Sequence, residues 1–101
     1  MYMRFRHNMN YRDIIVECDV RGTDASRYRV WVHDELFQER TWRWGEDYYL
    51  QEVIAIRAQP GRYRVRIESV PGDSGTLQVE NFRVTEGPAQ IDSEGNLEIA
   101  S

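Results

Sequence analysis

Apolar residues recur at every second position along most of this chain. Ile14, Val16, Cys18 and Val20 alternate with charged residues over 12–20, the period of a strand with one buried face and one outward face. The same period predicts strands over 27–33, with Tyr28, Val30 and Val32 inward, over 36–44, and over 48–58, with Leu50, Ile54 and Ile56 on one face. Tyr63, Val65 and Ile67 continue it. Residues 76–85 carry Leu77 and Val79, then Phe82 and Val84, and this step from odd to even positions near Glu80-Asn81 predicts a β-bulge.

Turn chemistry separates these runs. Residues 21–26, 45–47 and 71–75 are turn-rich, and Pro60-Gly61 supplies one preset backbone angle and one residue tolerant of positive φ. Asp34-Glu35 reads as a two-residue hairpin turn, although tight hairpins prefer Asn-Gly or Asp-Gly. Gly87-Pro88 ends the strand before it. Residues 91–99 read either as a small hairpin around Glu94-Gly95-Asn96 or as an arm. No segment has a helical period. Short strands about ten residues apart predict an all-β antiparallel sandwich, Ig-like or jelly-roll. At 101 residues the chain is one domain, with a core over 11–87 and with 1–10 and 88–101 as candidate arms.

A turn at Asp34-Glu35 fixes a register. Val32 would face Phe37, Val30 Glu39 and Tyr28 Thr41 on one side, with Trp31 facing Gln38, Arg29 facing Arg40 and Arg27 facing Trp42 on the other. The second side would then hold Arg27, Arg29, Trp31, Arg40, Trp42 and, by parity, Trp44. These six are the candidate interface or ligand-binding residues. An open patch of this kind marks a contact surface, and a subunit interface ranks above a ligand platform. The competing arrangement buries the tryptophans under a terminal segment. Arg29 beside Arg40 needs a carboxylate nearby, from Glu39, Glu46 or Asp47.

Composition adds one point. All thirteen basic residues are arginine. Guanidinium is planar, weakly hydrated and grips carboxylates with a fork of donors, and arginine and aromatics are enriched at protein interfaces where lysine is depleted. Codon bias would explain the residue type but not its position. Seventeen carboxylates leave a net charge of −4, which argues against nucleic acid as a partner. No apolar run is long enough for a membrane helix and the N-terminus lacks a secretory pattern, so the expected location is cytoplasmic or a particle assembled there.

Chemistry-bearing motifs are sparse. Cys18 has no disulfide partner and falls on a buried face, where it behaves as a small hydrophobe. His7 and His33 have no metal-ligand spacing with it. Asp92-Ser-Glu94-Gly95-Asn96 has a calcium-loop look but lacks that motif's spacing and closing glutamate, which favours a plain turn. Glu46-Asp47 is a carboxylate pair with nothing to make it catalytic. There is no phosphate loop or nucleophile elbow. No enzyme activity, cofactor or metal is expected.

Three stretches resemble small β-sandwich virion proteins of tailed phages, especially capsid decoration subunits: Tyr28 to Trp44, Gln59 to Ile67, and the Ile91 to Ile99 ending. The resemblance covers about half the chain. It implies a non-enzymatic, oligomeric protein that reinforces a capsid or tail lattice. Thr76-Leu-Gln-Val79-Glu-Asn-Phe82-Arg-Val84-Thr is similar to the final strand of jelly-roll carbohydrate-binding modules, which implies instead a glycan stacked on Trp31, Trp42, Trp44 and Tyr48 or Tyr49. This chain lacks an obvious calcium signature of such modules.

Overall fold

The computed structural model describes residues 10–22, 27–41, 49–70 and 76–100. They form eight strands: β1 (Arg12–Gly22), β2 (Arg27–Val32), β3 (Glu35–Thr41), β4 (Leu50–Ala58), β5 (Gly61–Ser69), β6 (Leu77–Glu86), β7 (Ala89–Ile91) and β8 (Asn96–Ile99). Every pairing is antiparallel. One sheet has the order β4-β1-β6 and the other β3-β2-β5-β8-β7, so the fold is the expected β-sandwich.

The core follows the period-two pattern. Ile14, Val16, Cys18 and Val20 of β1, Ile54 and Ile56 of β4, Tyr28 and Val30 of β2, and Val65 of β5 are all buried. Each alternates with a residue that reaches the outer face. The bulge predicted in β6 is present: the β1–β6 register shifts between Glu17 and Asp19, and Asn81 takes φ 60°. Its side chain donates to Asp19 Oδ2 (2.9 Å), which holds the kink. The bulge lets Val79 and Phe82, three positions apart, both join the core.

The C-terminal stretch is the hairpin and not an arm. β8 pairs with β5 and β7 closes the sheet, which buries Leu97 and Ile99. Asp92 organises the turn by accepting from Glu94 N, Asn96 N and Asn96 Nδ2, all at 2.9 Å. Those bonds, the Asn96 side chain foremost, hold the Asp92 carboxyl below its ordinary range. Being part of the sheet's far edge, this segment does not lie over Trp31.

One register differs from expectation. The β2–β3 turn is His33-Asp34, with Val32 opposite Glu35, and not Asp34-Glu35. His33 takes φ 57°, donates its amide to Arg64 O (2.7 Å) and sets its ring edge-on to Tyr63 at 5.7 Å. A second shift lies between Val30 and Trp31, where Phe37 bulges. Beyond it Tyr28 faces Arg40, Arg29 faces Glu39 and Arg27 faces Thr41. A one-residue slip moves a strand's side chains to the opposite face. Arg40 therefore points into the sandwich instead of joining Arg27 and Arg29 outside.

Candidate functional site: an arginine-rich outer sheet face

The outer face of the five-stranded sheet is built from alternate residues of four strands. β2 supplies Arg27, Arg29 and Trp31. β5 sets Glu68 opposite Arg29 and Arg66 opposite Trp31, and continues with Arg64 and Arg62. β3 brings Glu39 and Leu36 alongside, and β8 brings Glu98 opposite Arg62. Among the described residues the face thus gathers five arginines with three glutamates.

Charges on it are matched neighbour to neighbour. Arg29 Nε lies 2.7 Å from Glu39 Oε1, Arg66 Nη1 lies 3.0 Å from Glu68 Oε2, and Arg62 Nε lies 3.6 Å from Glu98 Oε2. The Arg66 guanidinium sits over the half-buried Trp31 ring, 5.5 Å from its centroid. Such exposed pairs contribute under about 1 kcal/mol each, and an exposed cation–π contact about as much. Their main effect is to hold long side chains in one arrangement. Beside them Leu36 is 51% and Phe37 42% exposed.

Of the six candidate residues, the structure brings Arg27, Arg29 and Trp31 together on this face. Trp42 and Trp44 lie outside the described residues, as do Tyr48 and the Glu46-Asp47 pair. Arg40 belongs elsewhere. Arg62, Arg64 and Arg66 were readable from the alternation in Arg62-Tyr-Arg64-Val-Arg66-Ile, but their adjacency to Trp31 depends on β5 pairing with β2, which no local pattern reveals.

Inside the sandwich Arg40 serves Glu52, a carboxylate at 1% exposure on the inner face of β4. Glu52 Oε2 accepts from Tyr28 Oη (2.5 Å) and Arg40 Nε (2.6 Å), and Oε1 accepts from Gln38 Nε2 (2.6 Å) and Arg40 Nη2 (3.2 Å). With two donors on each oxygen the buried charge is satisfied, as a buried carboxylate must be. Burial, then the Glu52 contact, raises the Tyr28 hydroxyl far above its ordinary value, and the same hydrogen bonding raises Arg40. The cluster ties β4 of one sheet to β2 and β3 of the other. Its sequence signal was the missing member of Leu50-x-Glu52-x-Ile54-x-Ile56, a lone carboxylate at inward parity.

Cys18 faces Glu52 across the β1–β4 ladder. Burial, with Glu52 and Asp19 adding to it, pushes its thiol up to about 12, so it is neutral at ordinary pH. Among the described residues no three His, Cys, Asp or Glu side chains gather to hold a metal ion, and no helix is long and apolar enough to cross a membrane.

Fold and face together define an antiparallel β-sandwich with a mixed-charge, arginine-rich outer sheet. No protein-family model, curated protein or solved structure matches the chain.

Proposed function

We propose that this chain is a non-enzymatic interaction protein that self-associates through the outer face of β3, β2 and β5. The observation that carries the reading is Trp31 lodged between Leu36 and Arg66, within a field of paired arginines and glutamates. Tryptophan and arginine are the residues that dominate binding energy at protein interfaces. A face with both signs interleaved is self-complementary: under a two-fold axis an arginine of one copy meets a glutamate of the other. Exchange of neighbour pairs for cross-subunit pairs then loses little charge energy, while burial of Leu36 and Trp31 is gained.

The finer role proposed is a subunit of a viral particle, such as a capsid decoration protein, in which the same face meets the lattice. That assignment rests on the resemblance of Tyr28 to Trp44, Gln59 to Ile67 and Ile91 to Ile99. The glycan reading is disfavoured by Arg66, which occupies the Trp31 ring where a sugar would stack.

The test replaces Trp31 and Arg29 together by alanine. Assembly, followed by light scattering, is expected to be lost while the far-ultraviolet circular dichroism stays that of a β protein. A double variant that assembles like the wild type overturns the reading.

A further inference from the structure

The five-stranded sheet has a gap beside β5. Even-numbered β5 residues aim their backbone groups at β2: Arg64 O accepts from His33 N (2.7 Å), and Val70 N, just past the strand, donates to Arg27 O (3.0 Å). Odd-numbered residues therefore face the other way, toward β8, and Val65 N donates to Gly95 O (2.8 Å). The β8 ladder covers only Gly61–Arg64, because the chain turns away at Asp92–Gly95. Among the described residues nothing pairs on that side with the amides and carbonyls of Ile67 and Ser69.

Below the gap the floor is apolar. Val79 and Phe82 of β6 line it with Ile67, in a cleft of about 360 Å³ whose rim carries Arg66, Glu68 and Glu94. Partial cover shows in the burial of β6. None of Leu77, Val79, Phe82 and Val84 is fully buried, whereas Ile14, Val16, Cys18 and Val20 of β1, beside it in the same sheet, all are.

We infer that the gap is a docking site for an extended segment of a partner protein, which adds to β5 as a strand in line with β8. Continuity with β8 sets the chemistry. β8 alternates Leu97 and Ile99 inward with Asn96 and Glu98 outward, and faces Arg62 with Glu98. A strand prolonging that line sets apolar side chains opposite Ile67 and Ser69, over Val79 and Phe82, and one outward side chain opposite Glu68. Opposite charges facing across a ladder are favoured and like charges disfavoured. The segment recognised is then a basic residue between two apolar β-formers. Main-chain bonds supply affinity in such strand addition and the alternate pockets supply specificity. The inference does not rest on self-association, since it concerns the unpaired backbone edge where β5 leaves β8, although the cleft's rim shares Arg66 and Glu68 with the outer face.

The test uses the full chain, labelled with nitrogen-15, and two synthetic peptides: acetyl-Thr-Val-Arg-Val-Thr-amide and its counterpart with glutamate for arginine. Without peptide, the Ile67 and Ser69 amides are expected to exchange with solvent far faster than those of Arg66 and Glu68. Titration is expected to give saturable shifts at Ile67 and Ser69 but not at Glu39 and Thr41, with the arginine peptide severalfold tighter. Protection of Ile67 and Ser69 in the free protein would mean the gap is already filled, and overturns the inference. Shifts confined to β3, or no saturable shift at Ile67 and Ser69, also overturn it, and equal binding of both peptides overturns the basic partner. Ser69→Pro removes the amide facing the gap but spares the β2 ladder, where Tyr28 and Ser69 pair without exchanging hydrogen bonds. It is expected to keep the fold and abolish the Ile67 shift, and wild-type binding by this variant counts against the site.

Discussion

Arg40 on the edge strand β3 donates from Nε to Oε2 of Glu52 at 2.6 Å and from Nη2 to Oε1 at 3.2 Å, across the space between the sheets. The relationship is unequal. Glu52 is at 1% exposure and its partner at 37%, so the carboxylate depends on the arginine more than the reverse. It explains the β2–β3 register: only with Gln38 and Arg40 turned inward does the buried charge find its donors.

Arg40→Ala should therefore lower the unfolding free energy by about 2 to 3 kcal/mol, because it strands a buried carboxylate. Arg40→Met combined with Glu52→Leu should recover only part of that loss, since no charge then remains to satisfy but the buried Tyr28 hydroxyl loses its acceptor. Urea denaturation of the single and double variants checks both. Purely additive losses would contradict a coupled pair.

Arg29→Ala, by contrast, removes a surface pair with Glu39 whose side chains are 38% and 44% exposed. Its effect on stability should stay below about 1 kcal/mol and shrink further in high salt. Measured in the same urea series, it separates the outer arginines, proposed to act on a partner, from Arg40, which acts on the fold.

Much of this was legible from alternation. Ile14 to Val20 and the bulge near Glu80-Asn81 followed from parity, and the 91–99 hairpin was one of the two readings its turn residues allowed. The hairpin at residues 33–34 did not follow, because neither His33-Asp34 nor Asp34-Glu35 carries the Asn-Gly or Asp-Gly signature that would set the register. It is held by Arg64 O and Tyr63, contacts remote in sequence. Arg40 was misplaced for the same reason. Its inward turn answers to Glu52 on another strand, and an outward arginine and an inward one carry the same local pattern.

Alkaline pH should destabilise the protein from about pH 9 upward. The Cys18 thiol moves from 9.0 to about 12 on folding, so the unfolded chain loses its proton first. The stabilising contribution is complete below pH 9 and is lost as pH rises through 12, at about 1.4 kcal/mol per pH unit. Tyr28, also raised, adds a loss in the same direction at higher pH. Cys18→Ala should delay the onset by about one pH unit, to the range where tyrosine ionises, as read from melting temperatures against pH. Native Cys18 should also resist thiol reagents at pH 8 and react on unfolding.

Gly95→Ala should be severely destabilising, by about 2 kcal/mol or more. Gly95 has φ 90°, and a Cβ there would run into the Val65 carbonyl oxygen. Because Gly95 O also receives Val65 N, the change pries β8 from β5 and uncovers Leu97. Hydrogen exchange should rise first at Tyr63 and Val65.

The most direct test of the central claim is the mass of the wild-type protein in solution, by sedimentation equilibrium over a range of concentrations. Self-association through the Trp31 face predicts a multiple of the 12.0 kDa chain mass that falls toward one copy on dilution. A constant 12.0 kDa at every concentration would contradict it.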